Sequence, residues 1–185
     1  MGLYIGIVSG AVLAIILIWV ISSYNGLVSL RLKVETQYSQ IDVQLKMRSD
    51  LIPNIVETVS AYAGHEKELI NSVTQSREKI MGAASFDEEI AADNQLKSSL
   101  KSLFAIAENY PELKANANFM ELQKQLETIE KRIADFRQFY NDTAMLYNRK
   151  LEMFPSGIIA GMFGFKPKSF YTVTEQDRQQ VKIKF

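Results

Sequence analysis

Few residues in this sequence have the types and spacing that catalysis requires. The 185 residues include no Cys and a single His, His65, so disulfide frameworks, Cys-ligated metals and thiol nucleophiles are excluded. A di-iron helical bundle needs two Glu-x-x-His pairs, which one His cannot supply. The alternative metal site is an all-carboxylate one built from Glu108, Glu127 and Glu130, but acids at helical spacing usually form a solvated face. We therefore expect no metal and no cofactor.

Motifs that activate a serine or bind a nucleotide phosphate are also missing. The sequence contains no G-x-S-x-G elbow, no G-x-x-x-x-G-K-[ST] loop and no G-x-G-x-x-G fingerprint. Its 21 basic and 21 acidic residues balance, whereas nucleic-acid binding depends on excess positive charge. The sequence thus predicts a protein that is not an enzyme and that binds no nucleic acid.

Three polar residues within apolar helical stripes are more informative. Arg48 occupies a stripe position with Asp42 and Asp50 nearby in sequence, and a buried guanidinium is costly unless it is paired. A Tyr-Asn dipeptide recurs after seven residues, which places Asn141 and Asn148 on one side of a helix. We predict that Arg48, Asn141 and Asn148 form a polar core that fixes helix register. Ligand binding is the alternative for the asparagines.

The first structural element of the chain is an apolar segment near its N-terminus. Residues 3–21 carry no charge and approach the ~20 residues that cross a bilayer as a helix. A cleaved secretory signal is the alternative, but it needs a basic region before the apolar run, and none is present. Gly6 and Gly10 form a G-x-x-x-G that would allow close helix pairing. The predicted membrane-spanning positions include Leu3, Ile7, Leu13, Ile16, Leu17, Trp19 and Ile21.

Charge near the segment predicts its orientation. Arg31 and Lys33 follow the apolar run and no basic residue precedes it. Because basic residues favour the cytoplasmic side, we expect a single pass with the N-terminus outside and the C-terminal domain in the cytoplasm.

The part of the chain between the apolar segment and residue 154 is predicted to be helical. Apolar residues recur at spacings of three and four, which is typical of amphipathic helices. We predict helices over 24–63, 66–84, about 90–110 and 119–154, with 86–89 as a connection. Two helices of ~40 residues and two of ~20 suit an all-α, antiparallel, up-and-down four-helix bundle. A coiled coil between subunits is the alternative use of the same repeat.

The segment after the bundle has a different composition. Residues 155–185 combine glycines with large apolar groups and carry five basic and two acidic residues. We predict an anchor over 1–23, a bundle over 24–154 and an irregular apolar and basic tail over 155–185. The tail either folds back to cap the bundle or contacts lipid or a partner, and residues 181–185 alternate like an edge strand. The candidate contacts are Phe154, Ile158, Ile159, Met162, Phe163, Phe165, Lys166, Lys168 and Phe170.

Several motifs together resemble the LemA family of bacterial membrane proteins. They run in the family's order from residue 24 to the end of the chain, while Met47 and Ser49 depart from the pattern of a stretch that is usually more basic. The motifs are Tyr24-Asn25, Ile41-Asp42-Val43-Gln44-Leu45-Lys46, Asp50-Leu51-Ile52-Pro53-Asn54, Ala107-Glu108-Asn109-Tyr110-Pro111, Phe139-Tyr140-Asn141-Asp142, Tyr147-Asn148, Phe154-Pro155 and Phe163-Gly164-Phe165.

The resemblance implies an inner-membrane protein with an N-terminal anchor and an antiparallel helical bundle, and it supplies no catalytic residues. Some relatives are associated with organising or remodelling bacterial membranes, and others are found beside TPM-domain proteins or membrane proteases. We therefore expect a non-catalytic, homo-oligomeric scaffold whose partners are membrane lipids. The alternative is an adaptor that binds a membrane protease or a TPM-domain protein through the surface around 140–148.

Overall fold

A computed structural model describes residues 1–172, and these residues are all-helical with no strand among them. The all-α prediction is therefore confirmed for this part of the chain, whereas the alternating segment 181–185 lies outside the described residues. The helices are α1 (Gly2–Tyr62), α2 (Lys67–Met81), α3 (Phe86–Ala107), α4 (Pro111–Lys114), α5 (Ala117–Glu152) and α6 (Ser156–Met162).

Helix α1 continues without a break from the apolar segment through Pro53 to Tyr62. Proline removes one helical hydrogen bond, but the side chain of Pro53 is exposed and the stripe keeps its register on both sides. Ile52 and Ile55 are accordingly buried. The predicted continuous helix is therefore present, and it ends one residue before the predicted Ala63.

Two sequence predictions of non-helical segments were wrong. Residues 86–89 begin α3 rather than link two helices, because Ser85 caps the helix by accepting a hydrogen bond from the amide of Glu88. The Glu88 carboxylate in turn accepts from the amide of Ala84, which satisfies a second unpaired donor. The tail segment predicted to be irregular contains α6. Its end is closed by Gly164 at φ 70°, with the amide of Phe165 donating to Ala160.

The chain divides into two compact units. The central unit, Gln40–Phe136, has a hydrophobic core to which α1, α2, α3, α4 and α5 all contribute. The core members are Ile52, Ile55, Val59, Ala63, Val73, Leu96, Leu100, Leu103, Ala107, Leu113, Phe119 and Leu126.

The terminal unit combines Met1–Ser39 with the described residues from Arg137 onward. In one hydrophobic cluster of this unit, Leu27 of α1 packs on Ile159 and Ala160 of α6. Val20, Leu151 and Phe165 pack against this cluster from the side. Gly157 allows the sharp turn from α5 into α6, since a Cβ there would lie 2.8 Å from the carbonyl oxygen of Leu151.

Candidate membrane-facing site

Within the described residues, the apolar part of α1 is exposed up to its end, where Val20 is half-buried against the Leu27 cluster. Among the helices of residues 1–172, α1 is the one that is long and apolar enough to cross a membrane. Exposed apolar side chains on every face of a helix are typical of a segment surrounded by lipid. All the predicted spanning positions lie on this exposed surface: Leu3, Ile7, Leu13, Ile16, Leu17, Trp19 and Ile21.

Helix α6 packs beside the end of this segment. Its inner face is covered, since Ile159 is only 2% exposed, and the cluster to which it belongs includes Val20. Its outer face is open, with Met162 72% exposed and Ile158 55% exposed. Phe154, just before α6, is 84% exposed. An apolar surface of this kind on a short helix is typical of an interaction site.

Aromatic side chains connect α6 to α1. The ring of Tyr24 lies 4.8 Å from that of Phe163 and 5.7 Å from that of Phe165, between centroids. The guanidinium of Arg31 lies over the Phe165 ring at 5.5 Å, a cation–π contact. Phe163 remains half exposed. The two aromatics after α6 are thus attached to α1 immediately after the apolar segment.

The chain after α6 is extended and is held by α5. Asn148 donates its amide to the carbonyl of Lys168 at 2.8 Å and accepts from the amide of the same residue at 2.9 Å. Asn141 does the same with Tyr171, at 2.8 and 2.9 Å. Each asparagine therefore pairs with both backbone groups of one residue, as a neighbouring strand would.

Two tyrosines of α5, Tyr140 and Tyr147, each directly precede one of these asparagines. The hydroxyl of Tyr140 donates to the carbonyl of Ser169 at 2.9 Å, and its ring packs edge-on against Tyr171. Tyr147 is almost fully buried. Burial raises the pKa of Tyr147, and the nearby charge of Glu35 raises it further, whereas Arg31 acts in the opposite direction.

The candidate tail contacts thus fall into two groups. Phe154, Ile158, Met162 and Phe163 present apolar surface, and Lys166 and Phe170 are also exposed. Ile159 is buried in the core and Phe165 is half-buried. Lys168 is half-buried, and its ammonium lies 3.5 Å from Glu35 of α1.

Arg48 lies in the central unit, and its side chain is completely buried. Its guanidinium binds Asp93 of α3 and lies 2.7 Å from Glu130 of α5. The neighbouring Asp50 pairs instead with Lys46 on the surface. Burial alone would lower the pKa of Arg48, but the charges of Asp93 and Glu130 outweigh it and raise the pKa. Arg48 therefore remains charged inside the core.

The structure does not gather the acids considered as metal ligands. Across residues 1–172, no group of three or more His, Asp or Glu side chains is arranged to hold a metal ion, and this includes Glu108, Glu127 and Glu130. Glu130 pairs with Arg48 instead. The geometry provides apolar and backbone-binding surfaces.

Over residues 1–172, an all-helical structure that has one lipid-compatible helix and an apolar surface beside the end of its apolar segment is typical of membrane-associated helical proteins. The family model of the LemA family matches residues 37–185. The chain therefore belongs to the LemA family.

Curated relatives are similar at low identity. Magnetosome protein MamQ of Magnetospirillum gryphiswaldense is 22% identical over 174 residues, which cover 80% of this chain and 64% of that protein. Magnetosome protein MamQ 1 of Paramagnetospirillum magneticum has the same identity and coverage. Protein LemA of Metamycoplasma hominis is 22% identical over 153 residues, covering 80% of this chain and 68% of that protein. The chain thus spans less than two thirds of the length of the MamQ relatives.

Proposed function

We propose that this chain is a non-catalytic, membrane-anchored helical scaffold, with α1 as its anchor and α6 as a second contact with the bilayer. The observation that carries the proposal is that α6 and Val20 of α1 join one hydrophobic cluster, while the apolar outer face of α6 is left open. A helix so close to the end of a spanning segment lies at the depth of the lipid headgroups, where apolar and aromatic side chains are stabilised.

The proposed architecture is an antiparallel four-helix arrangement formed by α1, α2, α3 and α5. It is supported by the shared core of the central unit, to which these helices contribute. We keep the anchor over 1–23, the bundle over 24–154 and the tail over 155–185 as its working division. On this arrangement α5 returns toward the membrane and delivers α6 to it.

The proposed location is the bacterial inner membrane, with the bundle in the cytoplasm. Arg31 and Lys33 follow the apolar segment, and basic residues beside a span favour the cytoplasmic side. Exposed Lys166 would then meet anionic headgroups of the inner leaflet. Reporter fusions at the C-terminus, one active only inside and one only outside, test this orientation.

The lipid contact can be tested in the full chain, because Trp19 is the only tryptophan. In a Trp19→Phe background, Met162→Trp places a single fluorophore on the outer face of α6. Met120→Trp places one on an exposed position of the central unit. In vesicles that contain brominated lipids we expect strong quenching of the first and little of the second. Equal quenching of the two would contradict the proposed contact.

The scaffold role requires self-association. Gly6 and Gly10 leave open space on α1, as close helix pairing needs. We expect light scattering of the detergent-purified chain to give a mass above that of the monomer.

The alternative function, an adaptor for a membrane protease or TPM-domain protein, predicts a monomer that co-purifies with its partner. The side chains of Tyr140, Asn141 and Asn148 bind the tail. An adaptor using them would have to displace it.

A further inference from the structure

Lys150 of α5 reaches across to Gly26 of α1. A Cβ on Gly26 would lie 2.5 Å from the Lys150 ammonium and 3.6 Å from its Cε carbon. Glycine therefore provides the space that the ammonium occupies. Both residues are half-buried, so this charge rests against helix α1 rather than extending freely into solvent.

This ammonium has no counter-ion in the described part of the chain. Other lysines do pair there: Lys168 with Glu35, Lys46 with Asp50 and Lys131 with Glu127. Within residues 1–172, no ion pair or hydrogen bond engages the Lys150 ammonium. Partial burial of an unpaired charge is unfavourable. An anion from outside the chain would offset that cost.

The position of the ammonium identifies the chemistry of this anion. Gly26 follows Trp19 by seven residues, so the two lie on the same face of α1 about 10 Å apart. Ser22 and Ser23 lie one helical turn before Gly26 on that side. On the proposed function, Trp19 marks the membrane interface. The ammonium then sits at the level of lipid phosphates, with hydroxyl donors close by.

We propose that Lys150, seated on Gly26, binds the phosphate of an anionic phospholipid headgroup, with the hydroxyls of Ser22 and Ser23 beside it. The proposal rests on the membrane-anchored scaffold and specifies the lipid class that it selects. The group that the site recognises is a phosphate. This phosphate comes from a lipid of the bilayer, because the site adjoins the spanning segment.

Two variants of the site, each with a matched control variant, separate the site from general charge. Lys150→Ala removes the ammonium, while Arg149→Ala removes the same charge from the next, exposed residue. Gly26→Ala keeps every charge and displaces the ammonium. Alanine also favours the helix, so misfolding does not explain a loss. Gly161→Ala is its control, since a Cβ there meets nothing within 4 Å.

The experiment is native mass spectrometry of the full-length chain in detergent, titrated with phosphatidylglycerol and with phosphatidylcholine. We expect the wild type to prefer phosphatidylglycerol and Lys150→Ala to bind it about fivefold more weakly. Gly26→Ala should also weaken binding. Arg149→Ala and Gly161→Ala should stay within about twofold of the wild type, because exposed charges are screened by solvent.

Three results would overturn the proposal: no preference in the wild type, an Arg149→Ala loss equal to that of Lys150→Ala, or displacement of the lipid by millimolar inorganic phosphate. The last would identify free phosphate as the ligand. A separate alkaline carbonate wash of membranes tests the anchor. Release of the chain would contradict the scaffold, whereas retention without lipid preference would contradict only the lipid site.

Discussion

The two compact units use polar groups in opposite ways. In the central unit a full charge, Arg48, is buried between α1, α3 and α5 and is bound by two carboxylates. In the terminal unit neutral amides, Asn141 and Asn148, lie on α5 and hold the backbone of an extended segment. The central unit thus joins helices by side-chain charge, and the terminal unit attaches a tail by backbone pairing.

The difference has an energetic consequence. A buried ion pair contributes little net stability, but removing one partner leaves an uncompensated charge and costs several kcal/mol. A hydrogen bond between neutral groups is worth about 1 kcal/mol. A substitution of Arg48 should therefore lower the stability of the whole central unit. A substitution of one asparagine should only make local detachment of the tail easier.

The largest expected effect comes from breaking the charged group of the central unit. Arg48→Met removes the buried guanidinium from Asp93 and leaves this buried carboxylate with the partly exposed Lys97, 3.4 Å away. We expect the free energy of unfolding to fall by about 3–5 kcal/mol. Denaturant unfolding followed by circular dichroism measures this. Lys46→Ala, which removes the exposed pair with Asp50, is the control and should cost less than about 1 kcal/mol. Similar losses in the two variants would contradict the distinction.

A smaller and more local effect is expected in the terminal unit. Asn148→Ala removes both hydrogen bonds to Lys168, so opening of the tail should become easier by about 1–2 kcal/mol. Hydrogen exchange of the amides in 165–172 measures the opening. Gln138→Ala, at an exposed position of the same helix, should leave exchange unchanged. Faster exchange throughout the central unit would show that the tail is not a separate element.

The smallest effect at neutral pH concerns Tyr147. Its pKa is raised above the ordinary value of 10 by burial, so the folded state favours the neutral phenol. This contribution to stability is fully present below pH 10 and is lost as the pH rises through the raised pKa. Tyr147→Phe should therefore lose less stability than the wild type above pH 10, measured by unfolding at a series of pH values. Parallel losses would assign the alkaline sensitivity to other groups.

The long helices could be predicted because their apolar positions repeat. The stripes place Val34, Ile41 and Leu45 in the buried set of α1, and Leu126 and Ile133 in that of α5. The start of α3 carried a readable signal, since Ser85-Phe86-Asp87-Glu88 fits the S-x-x-E capping pattern. Helix α6 also had one, because a glycine between two phenylalanines suits a helix end closed by a hydrophobic contact. Neither signal led to a predicted helix, because the residues around both have compositions that are typical of turns.

The partners of the polar residues were not predictable in the same way. The sequence places Asp50 two residues from Arg48, yet the guanidinium binds Asp93 and Glu130. A residue two positions away projects from a different side of a helix. Likewise, the repeat at seven places Asn141 and Asn148 on one side of α5. The spacing does not tell which segment packs against that side, because this depends on the path of the chain after α6.

The sequence by itself determined the exposed apolar helix, the helical stripes and the polar positions within them, since these follow from local periodicity and composition. Only the tertiary structure decided that Arg48 joins three helices, that the asparagines bind the tail and that α6 lies beside the end of the apolar segment. The physical reason is that such contacts join residues far apart in sequence. Their pairing is set by packing of whole elements rather than by the spacing within any one of them.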